Sequence, residues 1–446
     1  MEFINEITDL MQEMIRNKCI NPPGNELKSI RTVERYLSSY GIESEVFESA
    51  SERGNLITEM KGSQDHPSLM LGPSHVDVVP VENEKEWRVP PFDGTIQDDC
   101  IWGRGSLDML YIVAAQTVAF AKLHQEGFKP KGDLKLCIVA DEESSGNYGA
   151  KWLVDNHPEK VRVDYLITEA GGDPIAPNRM TYLYGEKGTA WTRLRFHGEE
   201  SHGSTPYGSN NAVVKMAGAI QLLSKYQPPR DTTLLKPFIK ALGIGTINRV
   251  LMGNTKTLGF MFKQLAKKSH RDAAFLNSMT QMTISPNVCE GGAKINTIPG
   301  RSYVDVDVRI LPGQNEEYVS EQFRKALDPM QEEISIEPVP SDLGGGFNPG
   351  TISEIRGPLV EIMESVVRDL RGADMVLVPM ISPGATDSRF FRKAFGTNAY
   401  GFSIHDGSLT AGEIMSMFHG TDERVPIETL RLTFKGYLGI VKQMLG

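Results

Sequence analysis

Residues 134–143 of this 446-residue chain read LKLCIVADEE, and this stretch decides the fold class. Its first seven residues form a short apolar run that predicts a buried β-strand. Three acidic residues follow the strand directly: Asp141, Glu142 and Glu143. Because consecutive acids at the end of a buried strand are costly to bury unpaired, a cation is their natural partner.

The same arrangement recurs on both sides of this stretch. The apolar run 69–71 precedes His75, the run 165–167 precedes Glu169, and a helical pattern spans residues 109–123. Short apolar strands separated by helices are typical of a parallel sheet that is flanked by helices. We therefore predict an α/β fold with a parallel-rich central sheet, and a site at the carboxyl ends of its strands.

Composition narrows the class of protein. The chain has 47 basic and 57 acidic residues, a formal net charge of -10, which argues against nucleic acid as a partner. Its four cysteines are far apart and form no CxxC, which excludes a disulfide framework and favours a reducing, cytoplasmic compartment. The apolar run 109–121 is too short to span a bilayer, so we expect no membrane contact.

The pattern of short, wholly apolar strands separated by helices ends at about Thr189, where a strand with alternating polar residues follows. Strands and helices then follow in the order β-α-β-β-α-β, which is typical of a small ferredoxin-like α+β layer. The α/β pattern resumes beyond Pro340 and the glycine run 344–346. We therefore predict a discontinuous main domain, residues 1–188 and 341–446, around an inserted domain of residues 189–340.

Residues 232–271 form a segment of the insert with a distinctive charge. It contains no acidic residue, and apolar residues alternate with basic ones, namely Lys236, Lys240, Arg249, Lys256, Lys263, Lys267, Lys268 and Arg271. One interpretation is a helical flap whose apolar face packs on its own domain or on a partner subunit, and we favour it. The alternative is a basic amphipathic helix that lies on an anionic membrane.

Residues of the types that bind metals follow the predicted strands. His75 and Asp77 alternate on an extended segment, so both side chains share one face, where a carboxylate can orient a metal-binding imidazole. Each such residue taken singly is more often a cap or a turn residue. Together, two histidines and several carboxylates fit a two-metal hydrolytic site for zinc, manganese or cobalt; they are His75, Asp108, Asp141, Glu142, Glu143, Glu169 and His419.

The order of six motifs makes a family resemblance specific. Along the chain come HVDVVP, WRVPPFDG, GRGSLDM, DEESSGNYG, ITEAGG and HGTDERVP. This order resembles the dinuclear-zinc aminoacylase and carboxypeptidase family, which includes acetylornithine deacetylase, succinyl-diaminopimelate desuccinylase, glutamate carboxypeptidase and carnosinase. The resemblance covers nearly the whole chain. It implies a zinc-exopeptidase-like catalytic domain and makes the insert a lid and dimerisation domain.

The resemblance implies a role for each of these residues. His75 and Glu169 would bind one zinc, Glu143 and His419 the second, and Asp108 would bridge the two. Asp77 would orient the histidine and Glu142 would be the general base. The peptide bond between Asp108 and Met109 would be cis.

The resemblance also implies substrate-binding residues. The segment HGEESHGSTPYG would supply His202, which reaches a neighbouring active site and stabilises an oxyanion; the alternative is a loop histidine that caps the following helix. Asn296, Arg309, Gly384 and Arg389 would hold a substrate carboxylate or the oxyanion. For either arginine, the alternative is a surface ion pair.

One segment departs from the family pattern. Where the family has a lysine and glycines after the bridging aspartate, this chain has Met109, Leu110, Tyr111 and Ile112. The ligand itself is intact, so we expect the change to affect packing or the pocket wall. We interpret Trp87, Trp102 and His405 as core or turn residues.

These features predict a hydrolase that cleaves an amide bond next to a free carboxylate, in an N-acyl amino acid, a dipeptide or the C-terminal end of a peptide. A water molecule that bridges two divalent metal ions, zinc above all, would lose a proton to Glu142, and the resulting hydroxide would attack the carbonyl carbon. Two alternatives stay open: a non-catalytic metal- or peptide-binding protein on the same scaffold, and an amidase for ureido or carbamoyl compounds. We expect a homodimer.

Overall fold

The computed structural model describes residues 2–340 and 345–446. The helices are α1 (Glu2–Asn17), α2 (Leu27–Ser39), α3 (Tyr111–Gln125), α4 (Ala150–Asn156), α5 (Pro158–Val161), α6 (Ala212–Lys225), α7 (Leu235–Ala241), α8 (Thr246–Gly253), α9 (Thr255–Ala266), α10 (His270–Ser278), α11 (Glu316–Ala326), α12 (Pro358–Arg371), α13 (Ser388–Phe395), α14 (Ala411–Met417) and α15 (Ile427–Leu445). The strands are β1 (Glu45–Ala50), β2 (Arg53–Met60), β3 (Leu69–His75), β4 (Thr95–Gln97), β5 (Cys100–Trp102), β6 (Leu134–Val139), β7 (Tyr165–Thr168), β8 (Pro174–Ala176), β9 (Arg179–Glu186), β10 (Gly188–His197), β11 (Ser201–His202), β12 (Thr283–Gly291), β13 (Thr297–Ile298), β14 (Arg301–Ile310), β15 (Ile334–Pro338), β16 (Gly346–Asn348), β17 (Thr351–Ile352), β18 (Val376–Ser382), β19 (Asn398–Gly401) and β20 (Arg424–Pro426).

The chain divides into two compact units. Unit 1 comprises Met1–Gly185, Ser353–Met380 and Thr386–Gly446, and unit 2 comprises Glu186–Ile352 and Ile381–Ala385. The boundary that the sequence predicts after Pro340 adjoins residues 341–344, which lie outside the described residues.

A mixed sheet organises unit 1. Its strands follow the order β1-β2-β6-β3-β7-β19-β9, and β8 and β18 also pair with β9. The four central strands β6, β3, β7 and β19 run parallel, whereas β1, β2 and β9 pair antiparallel to their neighbours. Every residue of β3 and β6 is buried, as the apolar runs predict. The α/β fold with a parallel-rich sheet is therefore confirmed; the antiparallel pair β1–β2 was not predicted.

Helix α3 is the central helix of unit 1. It packs against β3 and β6, and nearly all of its residues are buried. By length and composition alone, Ser106–Gln125 could cross a membrane, but 89% of its most apolar window is buried inside the protein. A helix that is apolar on all sides and buried in this way forms a protein core.

Unit 2 contains an antiparallel sheet. Its strand order is β12-β14-β10-β15, and every neighbouring pair is antiparallel. With α6 and α11 this is the ferredoxin-like β-α-β-β-α-β arrangement, whose core packs apolar side chains of the sheet against both helices.

The basic segment 232–271 forms helices α7 to α9 and the start of α10. Leu235, Phe238, Leu258 and Phe262 are buried, so the segment packs part of its apolar surface within its own unit, as the favoured interpretation expects. Exposed apolar side chains remain on α8 and α9: Ile247, Val250 and Phe260.

Stability of unit 2 tests this core. Phe323 on α11 is fully buried, and replacing it with Ala removes a large side chain and leaves a cavity. We expect Phe323→Ala to lower the free energy of unfolding by about 3–5 kcal/mol. The control is Val214→Ala on α6, since Val214 is 66% exposed and its loss should cost about 0.5 kcal/mol or less. Denaturant unfolding measures both, and similar values would contradict the packing.

Candidate active site

The parallel strands bring the predicted ligands to one edge of the sheet. His75 is the last residue of β3, Asp141 to Glu143 follow β6, and Glu169 follows β7 directly. Because β6, β3 and β7 are parallel neighbours, their carboxyl ends lie side by side. This topology is the physical reason that residues far apart in sequence meet here.

Asp77 organises the first half of the site. The His75 ring has its Nδ1 atom 3.0 Å from the backbone carbonyl of Asp77 and 3.4 Å from the carboxylate, which directs Nε2 the other way. The same buried carboxylate accepts the backbone N–H groups of Glu142 and Glu143, at 3.2 and 3.1 Å, and the amide of Asn21 at 2.9 Å. Asp77 therefore fixes both the histidine ring and the acidic loop.

Asp108 lies between two histidines. Its Oδ1 is 3.3 Å from Nε2 of His75, and its Oδ2 is 3.4 Å from Nε2 of His419. The Asp108–Met109 peptide bond is cis, as the resemblance implied. On the outer sides of this pair, Glu169 lies 3.8 Å from His75 and Glu143 lies 3.1 Å from His419.

Glu423 holds the loop that carries Asp108. This fully buried carboxylate accepts the backbone N–H groups of Gly105, Leu107 and Asp108 at 2.8 to 3.1 Å. It also pairs with Arg104 at 2.7 Å, and Arg104 in turn donates to the carbonyl of His419. One carboxylate thus fixes two elements of the site.

Two overlapping groups of side chains could each hold a metal ion. The first is His75, Glu142 and Glu169, and the second is His75, Asp108 and Glu143; within each group the ligand atoms lie within 4.8 Å of one another. Nitrogen and carboxylate oxygen donors without a thiolate suit divalent cations. Among the described residues, Oε1 of Glu143 is buried with no hydrogen-bond partner, which a bound cation would satisfy.

Crowding of the carboxylates changes their proton affinities. Burial and the negative charge of Glu169 raise the pKa of Glu142 well above its usual range. Burial and the charge of Asp108 raise the pKa of Glu143 to about 7. Hydrogen bonds to Asp108 and Glu143 raise the pKa of His419 to about 10. Without a cation, bound protons therefore offset part of the negative charge, so protons and cations compete for the same atoms.

A buried ion-pair network that sequence reasoning missed supports the acidic loop. Asp141, expected as one of the acids of the site, instead accepts from Arg53 at 2.6 Å, from Asn21 at 3.1 Å and from the N–H of Tyr148. Arg53 also pairs with Glu26 at 2.7 Å. The local sequence gives little signal for the side-chain partners, because these residues are 27 to 120 positions apart.

The predicted substrate-binding residues of unit 2 lie on its strands and loops. His202 is exposed on β11, which pairs with β13, and the N–H of the next residue donates to the Asn296 carbonyl. Asn211 itself caps α6, so His202 is not the cap that we gave as the alternative. Arg309 on β14 forms an ion pair with Asp307 at 2.7 Å through its Nε.

The remaining predicted residues are divided between the two units. Gly384 belongs to unit 2, where its N–H donates to the Ser382 hydroxyl. Arg389 belongs to unit 1 and donates to the carbonyls of Thr386 and Ser145 at 3.0 and 2.9 Å. The Arg389 guanidinium therefore connects the start of α13 to the loop that follows Glu142. Three residues are buried, as interpreted from the sequence: Trp87, Trp102 and His405.

The role of Glu423 can be tested by a conservative change. Glu423→Gln replaces one acceptor oxygen with an N–H donor that faces backbone donors, and it removes the carboxylate that balances the charge of Arg104. We expect the free energy of unfolding to fall by about 3–5 kcal/mol. The same change at Glu428, a half-exposed partner of Arg431, should cost about 0.5 kcal/mol or less. Equal losses in denaturant unfolding would show that Glu423 does not anchor the loop.

Comparisons with known proteins agree with the predicted family and fold. The model of peptidase family M20/M25/M40 matches residues 73–443. Succinyl-diaminopimelate desuccinylase of Paracoccus denitrificans is 26% identical over 373 residues, which cover 83% of this chain and 81% of the relative. The crystal structure of an M20 family metallo-carboxypeptidase from Sulfolobus solfataricus has a TM-score of 0.72 at 19% identity and covers 100% of this chain and 99% of its own. Human carnosine dipeptidase 1 has a TM-score of 0.66 at 13% identity, with 99% and 97% covered.

The family match spans most of the chain and includes the strands and loops that carry the candidate metal ligands. Membership of this family implies divalent metal ions, which the donor set of the site fits. The family match also argues against the alternative of a non-catalytic metal- or peptide-binding protein. The chain belongs to peptidase family M20/M25/M40 and is a hydrolase that acts on amide bonds.

Proposed function

We propose that the chain is a two-metal hydrolase that cleaves an amide bond next to a free carboxylate. The observation that carries the proposal is the position of Asp108, whose two carboxylate oxygens face different histidines at 3.3 and 3.4 Å. A carboxylate placed in this way can bridge two cations. His75 and Glu169 would hold one of them, and Glu143 and His419 the other, with zinc as the preferred metal.

The cations would supply Lewis acidity, which polarises the substrate carbonyl and makes a water molecule acidic near neutral pH. The residues of the chain do the rest. Glu142 accepts a proton from the attacking water and returns it to the leaving amine. Its buried position supports this role, because burial raises its pKa and lets it carry a proton during turnover. Asp77 keeps the His75 ring and the Glu142 backbone in place.

Substrate choice depends on residues outside the metal cluster. We propose that Asn296, Arg309, Gly384 and Arg389 recognise the free carboxylate or the oxyanion, on the basis of the family resemblance. Arg309 supports this, since its ion pair with Asp307 uses Nε and its terminal N–H groups suit a carboxylate. N-acyl amino acids, dipeptides and C-terminal peptide ends all offer that carboxylate.

The experiment that tests this proposal is a substrate panel with the metal-restored enzyme. The protein is stripped with chelator, reloaded with zinc, manganese or cobalt, and assayed on N-acetyl and N-succinyl amino acids, dipeptides and N-carbamoyl amino acids. Metal-dependent release of free amines from the acyl compounds or dipeptides supports the proposal. Activity on the N-carbamoyl compounds alone would favour the ureido amidase instead.

The role of Glu142 gives a separate prediction. Glu142→Gln keeps the size of the side chain and removes the base, so kcat should fall at least about 10²- to 10⁴-fold. Metal content should stay near two ions per chain, as measured by elemental analysis. The control Glu59→Gln changes a surface carboxylate that pairs with Lys61 and should leave kcat unchanged. Normal turnover by Glu142→Gln would rule out Glu142 as the base.

We further propose that unit 2 is the lid and dimerisation domain and that the enzyme is a cytoplasmic homodimer. The four cysteines are all free, which suits a reducing compartment. His202, exposed on β11, would complete the active site of the partner chain.

Mixed dimers test this arrangement. His202→Ala and Glu142→Gln chains should each be inactive, whereas a 1:1 mixture should regain about a quarter of the wild-type activity, since half of the dimers then hold one intact site. Steady-state assays before and after subunit exchange measure this. A mixture that stays inactive although heterodimers form would show that His202 does not act in the partner's site.

A further inference from the structure

The segment that departs from the family pattern contains a buried hydrogen-bond chain. Tyr111 is the first residue of α3, three positions after Asp108, and only 2% of it is exposed. Its hydroxyl donates to Oγ of Ser403 at 2.9 Å, and that hydroxyl donates to the carbonyl of Gly171 at 2.7 Å. Nε2 of His405 lies farther from the Tyr111 hydroxyl, at 3.5 Å. These two hydrogen bonds therefore connect α3 to the loop that follows Glu169.

That loop has an unusual backbone. Ala170, Gly171 and Gly172 are all left-handed, with φ of 63°, 74° and 84°. A Cβ on Gly171 would lie 2.4 Å from the carbonyl oxygen of Gly401, and one on Gly401 would lie 2.2 Å from that of Glu169. The two backbones therefore touch, and small shifts of one move the other.

Side chains of α3 also reach the neighbouring strands. Gln116 accepts from the hydroxyl of Ser74 at 2.7 Å and donates to the carbonyl of Ile167 at 3.0 Å. Ser74 immediately precedes His75, and Ile167 lies two positions before Glu169. Helix α3 thus contacts the ends of both strands that carry ligands of the first cation, and Tyr111 extends this contact to the loop beyond Glu169.

We propose that Tyr111 is a positioning residue for Glu169. Its hydroxyl, acting through Ser403, holds the Gly171 carbonyl and so keeps the Glu169 carboxylate facing Nε2 of His75, 3.8 Å away. The inference rests on the proposed function, in which Glu169 binds one of the two cations. Loss of the hydroxyl weakens the cation site of His75 and Glu169 and spares the site of Glu143 and His419.

The test uses cobalt(II) as the probe in chelator-treated full-length protein. Titration calorimetry and the visible absorption of bound cobalt resolve the two binding steps. In Tyr111→Phe and in Ser403→Ala, one step should weaken about tenfold or more, since partners of metal ligands are worth about 10- to 100-fold in affinity. Cobalt affinity in the double variant should be no lower than in the weaker single variant, because both hydroxyls act through the same series of hydrogen bonds.

Tyr182→Phe is the matched control. Tyr182 is also fully buried and its hydroxyl donates to a backbone carbonyl, that of Ile355, so the same atom is removed away from the metal ligands. Both of its cobalt steps should match those of the wild type. This comparison separates positioning from a general loss of stability, which thermal unfolding of the metal-free variants measures directly.

Three results would overturn the inference. The first is unchanged cobalt binding in Tyr111→Phe, the second is equal weakening of both steps, and the third is additive losses in the double variant. A wild-type chain that binds fewer than two cobalt ions would overturn the proposed function, and this inference with it. Two ions in the wild type with unaltered steps in the variants would overturn the role of Tyr111 alone.

Discussion

The electrostatic cost of burying several carboxylates side by side is the constraint on which this structure depends. Asp77, Asp108, Glu142, Glu143 and Glu169 meet at one sheet edge, where His75 and His419 supply possible counter-charges. Such a cluster is stable only if its charge is offset by protons or by cations. The raised pKa values of Glu142, Glu143 and His419 show the first solution, and divalent metal ions provide the second.

Two buried carboxylates hold the backbone of the loops that carry the ligands. Asp77 and Glu423 are both fully buried, and each accepts two or three backbone N–H groups from a loop that carries ligands. A carboxylate bound in this way aims the loop without entering the cation sites. The Tyr111–Ser403 chain, in our proposal, does the same for Glu169 with neutral groups. Preorganisation of this kind would lower the cost of binding, in one geometry, the two cations and the water molecule of the proposed mechanism.

The part of the site that was predictable from sequence is the part that local pattern encodes. The run LKLCIVADEE predicts both a buried strand and the acids at its end, and the motif order predicts which residues join them. Glu423 lies within a recognised motif, yet its contact with Leu107 spans 316 positions and depends on packing. Likewise, the sequence shows Tyr111 only as a departure from the family pattern, because its contact with Ser403 depends on the fold. The antiparallel pair β1–β2 was missed because its strands lack a continuous apolar run.

The central claim is that one sheet edge holds two cations with Asp108 between them. Anomalous diffraction from crystals of the zinc-loaded enzyme tests it most directly. The account predicts two peaks about 3.5–4 Å apart, one bound by His75 and Glu169, the other by Glu143 and His419, and both within bonding distance of Asp108. A single peak, or two peaks that do not share Asp108, would contradict it.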